Sequence, residues 1–265
     1  MNAIDFIYDG QYLSDYGFII GKRGKGENLT ISDTGSKIQF SKVTRYRGNI
    51  NDYTRAVYVD TYKTTFEIYK NPKISDSLYI SSYEFRDIMR WLNRKEFLKF
   101  SFIPLDGDET EKYYNASFNL QKIVLKGKLI GISLSMETDS LFGYGQEQTY
   151  KFNVKDTNKT FIVSDISDEI GATDLYMEIK LEDSGNLEIE NLTYDRKTII
   201  KNCLYGETIV FAAGIDPVTT YSNHDILSNY NFEVPQIANT INNRQNKFRF
   251  SLPCTVTIKY TPIIK

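Results

Sequence analysis

Any histidine-dependent chemistry in this chain must run through His224, because the sequence holds no other histidine. The nucleophiles such a base could serve are Cys203 and Cys254, the only cysteines, with Asp225 as the adjacent acid. Neither cysteine stands in a recognisable nucleophile motif. The simpler reading makes His224 a loop-packing or capping residue and the cysteines half-buried thiols in strands. Two thiols could form one disulfide, but they lack the close CxxC spacing of a redox or zinc motif. Asp106-Gly107-Asp108-Glu109 resembles part of a calcium loop, yet the twelfth position counted from Asp106 is Ser117 and not the required glutamate. That reads as a solvated acidic turn. Gly21 to Gly26 is glycine-rich and basic, but it lacks the Walker spacing and the following helix that would aim N–H groups at a phosphate. Tyr176, Tyr194, Tyr205, Tyr221 and Tyr230 could stack on sugar rings, although tyrosines equally pair across strands and fill cores. A glycosidase would also need two converging carboxylates. The expectation is therefore no catalytic residue, no cofactor and no metal, with carbohydrate binding as the alternative function.

The elements that would carry these residues read as sheet. Tyr (20) and Phe (16) are abundant among the 265 residues, and aromatic and β-branched side chains fit a pleated surface. Short strands are expected at Ile4–Tyr8, Tyr16–Ile20, Lys37–Val43, Ala56–Val59 and Thr65–Tyr69, with Asp9-Gly10 as a turn. Phe97–Ile103, Tyr113–Phe118, Gln121–Leu125 and Lys128–Met136 follow, the last two joined by a Lys126-Gly127 turn. One helix interrupts the pattern, at about residues 82–93. Ser81-Ser82-Tyr83-Glu84 has the capping-box form. Phe85, Ile88, Met89 and Leu92 then recur at i, i+3, i+4 and i+7, with Trp91 at the edge of that apolar face. The helix is expected to cover one face of a sheet.

Leu141-Phe142-Gly143-Tyr144-Gly145 breaks the rhythm, which places a domain boundary between 1–142 and 143–265. Beyond it, Leu175, Met177, Ile179 and Leu181 alternate with polar neighbours, Asp183 to Asn186 reads as a hairpin turn, and Leu187–Ile189 returns. Thr208–Ala212, Lys247–Leu252 and Thr255–Tyr260 are further strands, while Asn223 to Asn246 is polar and expected to hold long loops. Closely spaced strands and turns point to a β-sandwich.

Charge argues against one class of partner, although balanced totals leave a local basic patch open. The chain carries 32 Lys+Arg against 34 Asp+Glu. Residues 1–142 sum to 20 − 18 = +2 and residues 143–265 to 12 − 16 = −4. Neither half has the concentrated basic field of a nucleic-acid binder. No stretch approaches the ~18–20 apolar residues of a membrane span. With no signal peptide read at the start, synthesis and folding in a cytoplasm are expected.

Several segments together resemble the distal tail proteins of siphophages that infect Gram-positive bacteria. Asp5 to Gly10 followed by Leu13-Ser14-Asp15-Tyr16-Gly17 is similar to that family's opening. Tyr83 to Asn93 is similar to its single helix with a Trp-Leu end, followed by the strand Phe97 to Phe102. Gly131 to Thr138 is similar to the strand that closes its first domain. Asn229 to Phe232 and the final strand ending in Tyr260-Thr261-Pro262 resemble its second domain. The resemblance implies a mainly β chain: an N-terminal β-sandwich plus helix, six copies of which form a ring, and an outward-facing galectin-like β-sandwich. It implies a non-enzymatic protein of the virion tail tip or baseplate. The implied partners are the tail tube protein, a tail-associated lysin-like hub protein and receptor-binding or side proteins, with no sequence-specific nucleic acid and no membrane. In that frame Phe85, Ile88, Met89, Trp91 and Leu92 anchor the helix. The charged loop containing Lys22, Arg23, Lys25 and Glu27 becomes a candidate inter-ring or lumen contact.

Overall fold

The computed structural model describes residues 3–21, 38–43, 53–58, 61–104 and 112–265. The loop holding Lys22, Arg23, Lys25 and Glu27, and the acidic turn at Asp106 to Glu109, lie outside the described residues. The chain divides into two compact units, Met1–Gly143 and Tyr144–Lys265. Each has its own hydrophobic core.

Unit 1 contains β1 (Ala3–Tyr8), β2 (Gln11–Tyr12), β3 (Phe18–Gly21), β4 (Ile38–Val43), β5 (Tyr53–Tyr58), β6 (Lys63–Lys70), the helix α1 (Ser82–Leu92), β7 (Leu98–Pro104), β8 (Tyr114–Leu125) and β9 (Lys128–Thr138). Seven of these strands form one antiparallel sheet in the order β2-β1-β7-β8-β9-β6-β3, while β4 and β5 pair with each other. Alternation sets the faces: Ile132, Leu134 and Met136 of β9 are buried, and Ser133, Ser135 and Glu137 fall between them. Two hairpins use two-residue turns with positive φ at both positions, Asp9-Gly10 (51° and 75°) and Lys126-Gly127 (50° and 78°). This is the turn whose twist matches the flanking strands, and glycine adopts its second position without a Cβ penalty.

The sheet curls over itself. Phe6 on β1 meets Phe66 on β6 with ring centroids 5.8 Å apart, although three strands separate them in the sheet. Phe100 and Phe118 fill the space between, so the two layers of this sandwich are continuous through one sheet. Where the sequence predicted separate strands at Tyr113–Phe118 and Gln121–Leu125, a single strand β8 runs through. Asn119 and Leu120 stay in register with Ser135 and Leu134 of β9, so the ladder is not broken there.

Unit 2 is a sandwich of two sheets. The short β10 (Gly143–Tyr144) lies at the division of the chain; then come β11 (Gln148–Val154), β12 (Phe161–Ser164), β13 (Gly171–Asp174), β14 (Tyr176–Leu181), β15 (Gly185–Asn191), β16 (Arg196–Cys203), β17 (Thr208–Ala212), β18 (Ile215–Thr219), β19 (Gln236–Asn239), β20 (Gln245–Phe250), β21 (Cys254–Tyr260) and β22 (Ile263–Ile264). One sheet has the order β11-β21-β14-β17-β18, the other β12-β20-β15-β16. Met177, Ile179, Phe211 and Val256 from the first pack against Leu187, Ile189, Phe248 and Phe250 from the second. The 223–246 segment is more ordered than its polarity implied. It holds a 3₁₀ turn (Leu227–Asn229), strand β19 and the start of β20.

Candidate functional site

Helix α1 and the strands beneath it are the most heavily organised part of unit 1. The capping box is formed: the Glu84 N–H donates to Ser81 Oγ (3.3 Å), and the Ser81 N–H donates to Glu84 Oε2 (2.7 Å). Lys70 Nζ holds the other carboxylate oxygen at 2.7 Å. The helix is tied at its two ends to two neighbouring strands of the sheet, β9 and β8. Ile80, just before it, donates its N–H to Leu129 O of β9 (2.9 Å), and Asn93, just after it, donates Nδ2–H to Phe118 O of β8 (3.1 Å).

The buried face differs from the one read by spacing. Ile88 and Leu92 are fully buried, but Phe85 and Met89 sit half-buried at the rim. Trp91, expected at the edge, is central. Its indole N–H donates to Tyr8 O (3.0 Å), and the ring stacks on Tyr16 (4.4 Å, 13°) and Phe6 (5.6 Å, 13°). A buried indole needs a hydrogen-bond acceptor, and the end of β1 supplies one; that requirement turns the helix toward Trp91. Lys122 Nζ covers the outward side of Phe85 at 4.6 Å from its ring.

In unit 2 the structure gives His224 a partner that the sequence did not indicate. Nδ1 lies 2.6 Å from Glu207 Oε1 and Nε2 lies 3.0 Å from Lys201 O. Glu207 is fully buried; it also accepts the Leu204 N–H (2.8 Å) on its other oxygen and the Thr219 hydroxyl. Asp225, the neighbour in sequence, instead accepts the Ser228 N–H (3.3 Å) and hydroxyl. Because a carbonyl only accepts, Nε2 is the donor to Lys201 O, which leaves Nδ1 facing the Glu207 carboxylate. Every polar atom of the pair is thus used to tie the ends of β16, β17 and β18 to the 220–229 loop. Both side chains are buried.

The cysteines are fully buried and free rather than half-buried. Burial pushes the Cys203 thiol up to about 11 and the Cys254 thiol up to about 12. That is the direction away from a nucleophile or metal ligand. Among the described residues no group of three or more His, Cys, Asp or Glu side chains is placed to hold a metal ion.

The tyrosines divide. Tyr230 is buried, and burial pushes its hydroxyl up to about 12. Tyr176 lies half-buried with its hydroxyl on Glu178 Oε2 (2.8 Å). Tyr205 is 70 % exposed. Tyr221 reaches the same turn, its hydroxyl donating to Tyr205 O (3.1 Å). Tyr194 is exposed in the turn after β15, away from that pair in sequence. No sequence signal distinguished these cases, since burial was decided by which strand edge each residue reached.

The architecture is that of a two-unit β-sandwich protein organised around cores and surfaces. Residues 1–140 match a family model described as phage tail protein N-terminal domain, and residues 142–260 match one described as phage tail C-terminal domain. The chain belongs to this phage tail protein family. Among solved structures it is similar to the SPP1 Dit (gp 19.1) protein, described as a paradigm of the hub adsorption apparatus in phages infecting Gram-positive bacteria. That similarity has a TM-score of 0.63 at 15% identity and covers 97% of this chain and 98% of that one. No curated protein matches the sequence. The chain is therefore a structural tail protein with the fold of a distal tail protein.

Proposed function

We propose that the chain is the distal tail protein of a bacteriophage or prophage, a non-enzymatic ring subunit at the virion tail tip. Six copies would close through unit 1 around the tail axis. The ring would join the tail tube protein to a tail-associated lysin-like hub, leaving unit 2 for receptor-binding or side baseplate proteins. The observation that carries this reading is the fold match over nearly the whole of both chains, with a family match in each unit. The use of Glu207 and His224 entirely for loop fixation, and of both cysteines as buried neutral thiols, supports a non-catalytic role.

Negative-stain images of the purified chain, with antibody labelling of intact virions, test the proposal. Rings with six-fold views and label at the tail tip are expected. A chain that stays monomeric at every concentration, with label elsewhere on the particle, would overturn it.

A second reading, carbohydrate binding by unit 2, is favoured by one observation. Tyr205 and Tyr221 lie together on one exposed turn region, and Asn202 donates Nδ2–H to Asn229 Oδ1 (2.9 Å) in the neighbouring strand and turn. Aromatic faces beside amides suit sugar rings and hydroxyls. Retention of the protein on host cell walls, lost in Tyr205→Ala, would support it; equal retention of both proteins would remove it.

A further inference from the structure

We propose that Phe232 of unit 2 is a contact residue, a projecting ring that enters an apolar pocket on a different tail polypeptide. This rests on the reading above that unit 2 is left for receptor-binding or side baseplate proteins, and adds the residue that engages one of them. Among the described residues the non-glycine positions with positive φ are Asp9, Lys126, Asp195, Asn202 and Phe232. Asp9 and Lys126 stand in two-residue hairpin turns that require it, and Asp195 and Asn202 are of the types that adopt the left-handed region most readily. Phe232 has neither excuse. A bulky ring at φ 60° is an outlier that persists only because the surrounding structure holds it there.

The hold is visible on both sides. The Asn231 N–H donates to Ile199 O (3.1 Å), its Oδ1 accepts the Ile199 N–H (2.9 Å), and its Nδ2 donates to Lys197 O (2.9 Å). Glu233 O accepts the Thr198 hydroxyl (2.6 Å), and the Glu233 carboxylate pairs with Arg196 Nη2 (2.8 Å). Tyr230 forms an antiparallel bridge with Ile200 and is buried. Residues 230–233 thus lie along β16 and cover its edge, while Phe232 is left 67 % exposed. Its ring meets Tyr230 at 5.4 Å, so it adds little to the core. Glycine would take this backbone without a Cβ penalty. A side chain that strains the chain and remains in solvent has its use in contact with another molecule.

Shape and charge identify that molecule. Small ligands bind in concave sites, and a projecting ring supplies none, so the concavity belongs to the partner. Glu233, beside the ring in sequence, is paired with Arg196, and Lys197 on β16 is paired with Glu188 (2.6 Å) and Glu190 (3.2 Å). The ring stands among compensated charges, which suits an uncharged pocket. A hollow of about 320 Å³ on unit 1 of this chain is lined by Lys63, Thr65, Asn119, Ser135 and Glu137. A bare ring entering it would strip water from polar groups and return no hydrogen bond, so that hollow is a poor receptor. The occupant that fits is an apolar pocket on a different protein. Because both neighbours of Phe232 are bonded down, little freedom is lost on docking.

The test uses assembled tails carrying photoreactive benzoyl-phenylalanine at position 232, with melts of the purified full chain. Irradiation is expected to join position 232 to a different tail protein, at an apolar segment identified by mass spectrometry. Phe232→Gly should keep or raise the melting midpoint of unit 2, yet reduce retention of that protein by roughly tenfold or more. Phe232→Leu, equally strained but still apolar, should lose less retention than Phe232→Gly. A midpoint lowered by more than about 4 °C in Phe232→Gly would show that the ring serves the fold, and would overturn the proposal. An adduct to another copy of this chain, or no adduct although the chain is at the tail tip, overturns it and leaves the tail-tip reading standing. Absence of the chain from the tail tip refutes that reading and this one with it. Unchanged tails whose Phe232→Gly form alone loses retention on host cell walls would assign the ring to carbohydrate and overturn the proposal. Should the photoreactive chain not enter tails, equal amounts of every other tail protein in wild-type and Phe232→Gly particles would overturn it.

Discussion

Leu92→Ala tests whether α1 is anchored as described. Leu92 is fully buried beside Ile88 and Trp91 in the core that also holds Phe6, Phe100 and Phe118. The substitution removes three carbons from a site whose neighbours are held by ring stacking and by the Trp91 hydrogen bond to Tyr8 O. Such rings collapse poorly into a void, so the cost should fall in the upper part of the usual range, about 3–5 kcal/mol. For a unit of this size that lowers the midpoint by roughly 8–15 °C. The assay is built into the chain: Trp91 is the single tryptophan, so its emission reports unit 1 alone. A urea or thermal melt followed by fluorescence should shift, while the β-sheet signal from unit 2 keeps its own midpoint. A fluorescence shift worth less than half a kcal/mol would refute the burial of this face.

Other outcomes follow from the same structure. Glu207→Ala should cost about 3–5 kcal/mol, because it strands the His224 ring, the Leu204 N–H and the Thr219 hydroxyl in the interior. Glu207→Gln should cost under about 1.5 kcal/mol, since an amide can accept from Leu204 and donate to a neutral His224 ring; equal melting losses in the two variants would contradict this account. Both cysteines should resist a thiol reagent at pH 8 in the native protein and react fully in denaturant, and fast native labelling would show that either is accessible. Glu190 is held below the usual carboxylate range by its hydrogen bond from Arg249, with Lys197 adding to it. A depressed folded value means that its contribution is present above about pH 4.3, the unfolded value, and is lost as pH falls through the folded one. Stability measured from pH 6 to 3 should therefore fall less steeply in Glu190→Gln, and superimposable curves would remove Glu190 as a contributor.

What the sequence made legible was local. Ser81 and Glu84 lie three residues apart, so their reciprocal cap could be read from spacing alone, and the period-two runs of β9 and β14 announced their faces directly. The Asp9-Gly10 and Lys126-Gly127 turns carried their own backbone chemistry. Long-range partners were not legible. Trp91 looked peripheral by helical spacing because nothing in the helix encodes the Tyr8 carbonyl that receives its N–H. His224 pointed to Asp225 by adjacency, yet a 3₁₀ turn takes that carboxylate and the fold brings Glu207 across seventeen residues. The segment 223–246 looked like loop because its asparagines are polar. Several of them are spent internally, with Asn246 Oδ1 accepting from Asn191 Nδ2 (2.9 Å) and from the Ala238 N–H (2.8 Å).

That last arrangement separates the two units by how they are stabilised. Unit 1 relies on aromatic rings closed over by a helix, so its order comes from apolar packing, with few buried polar side chains among the described residues. Unit 2 adds buried side-chain amides that act as extra rungs. Asn239 Nδ2 bonds to Ser167 O (2.8 Å) and Glu169 O (2.9 Å), while Asn191 Nδ2 reaches Gln236 O (2.9 Å), so loops between strands are fastened to the sandwich. A buried amide left unpaired costs more than a paired one contributes, so such networks tolerate little displacement and give each loop one position. For a tail component whose work is contact with other polypeptides, fixed loops of that kind are a requirement of the surface rather than of a reaction.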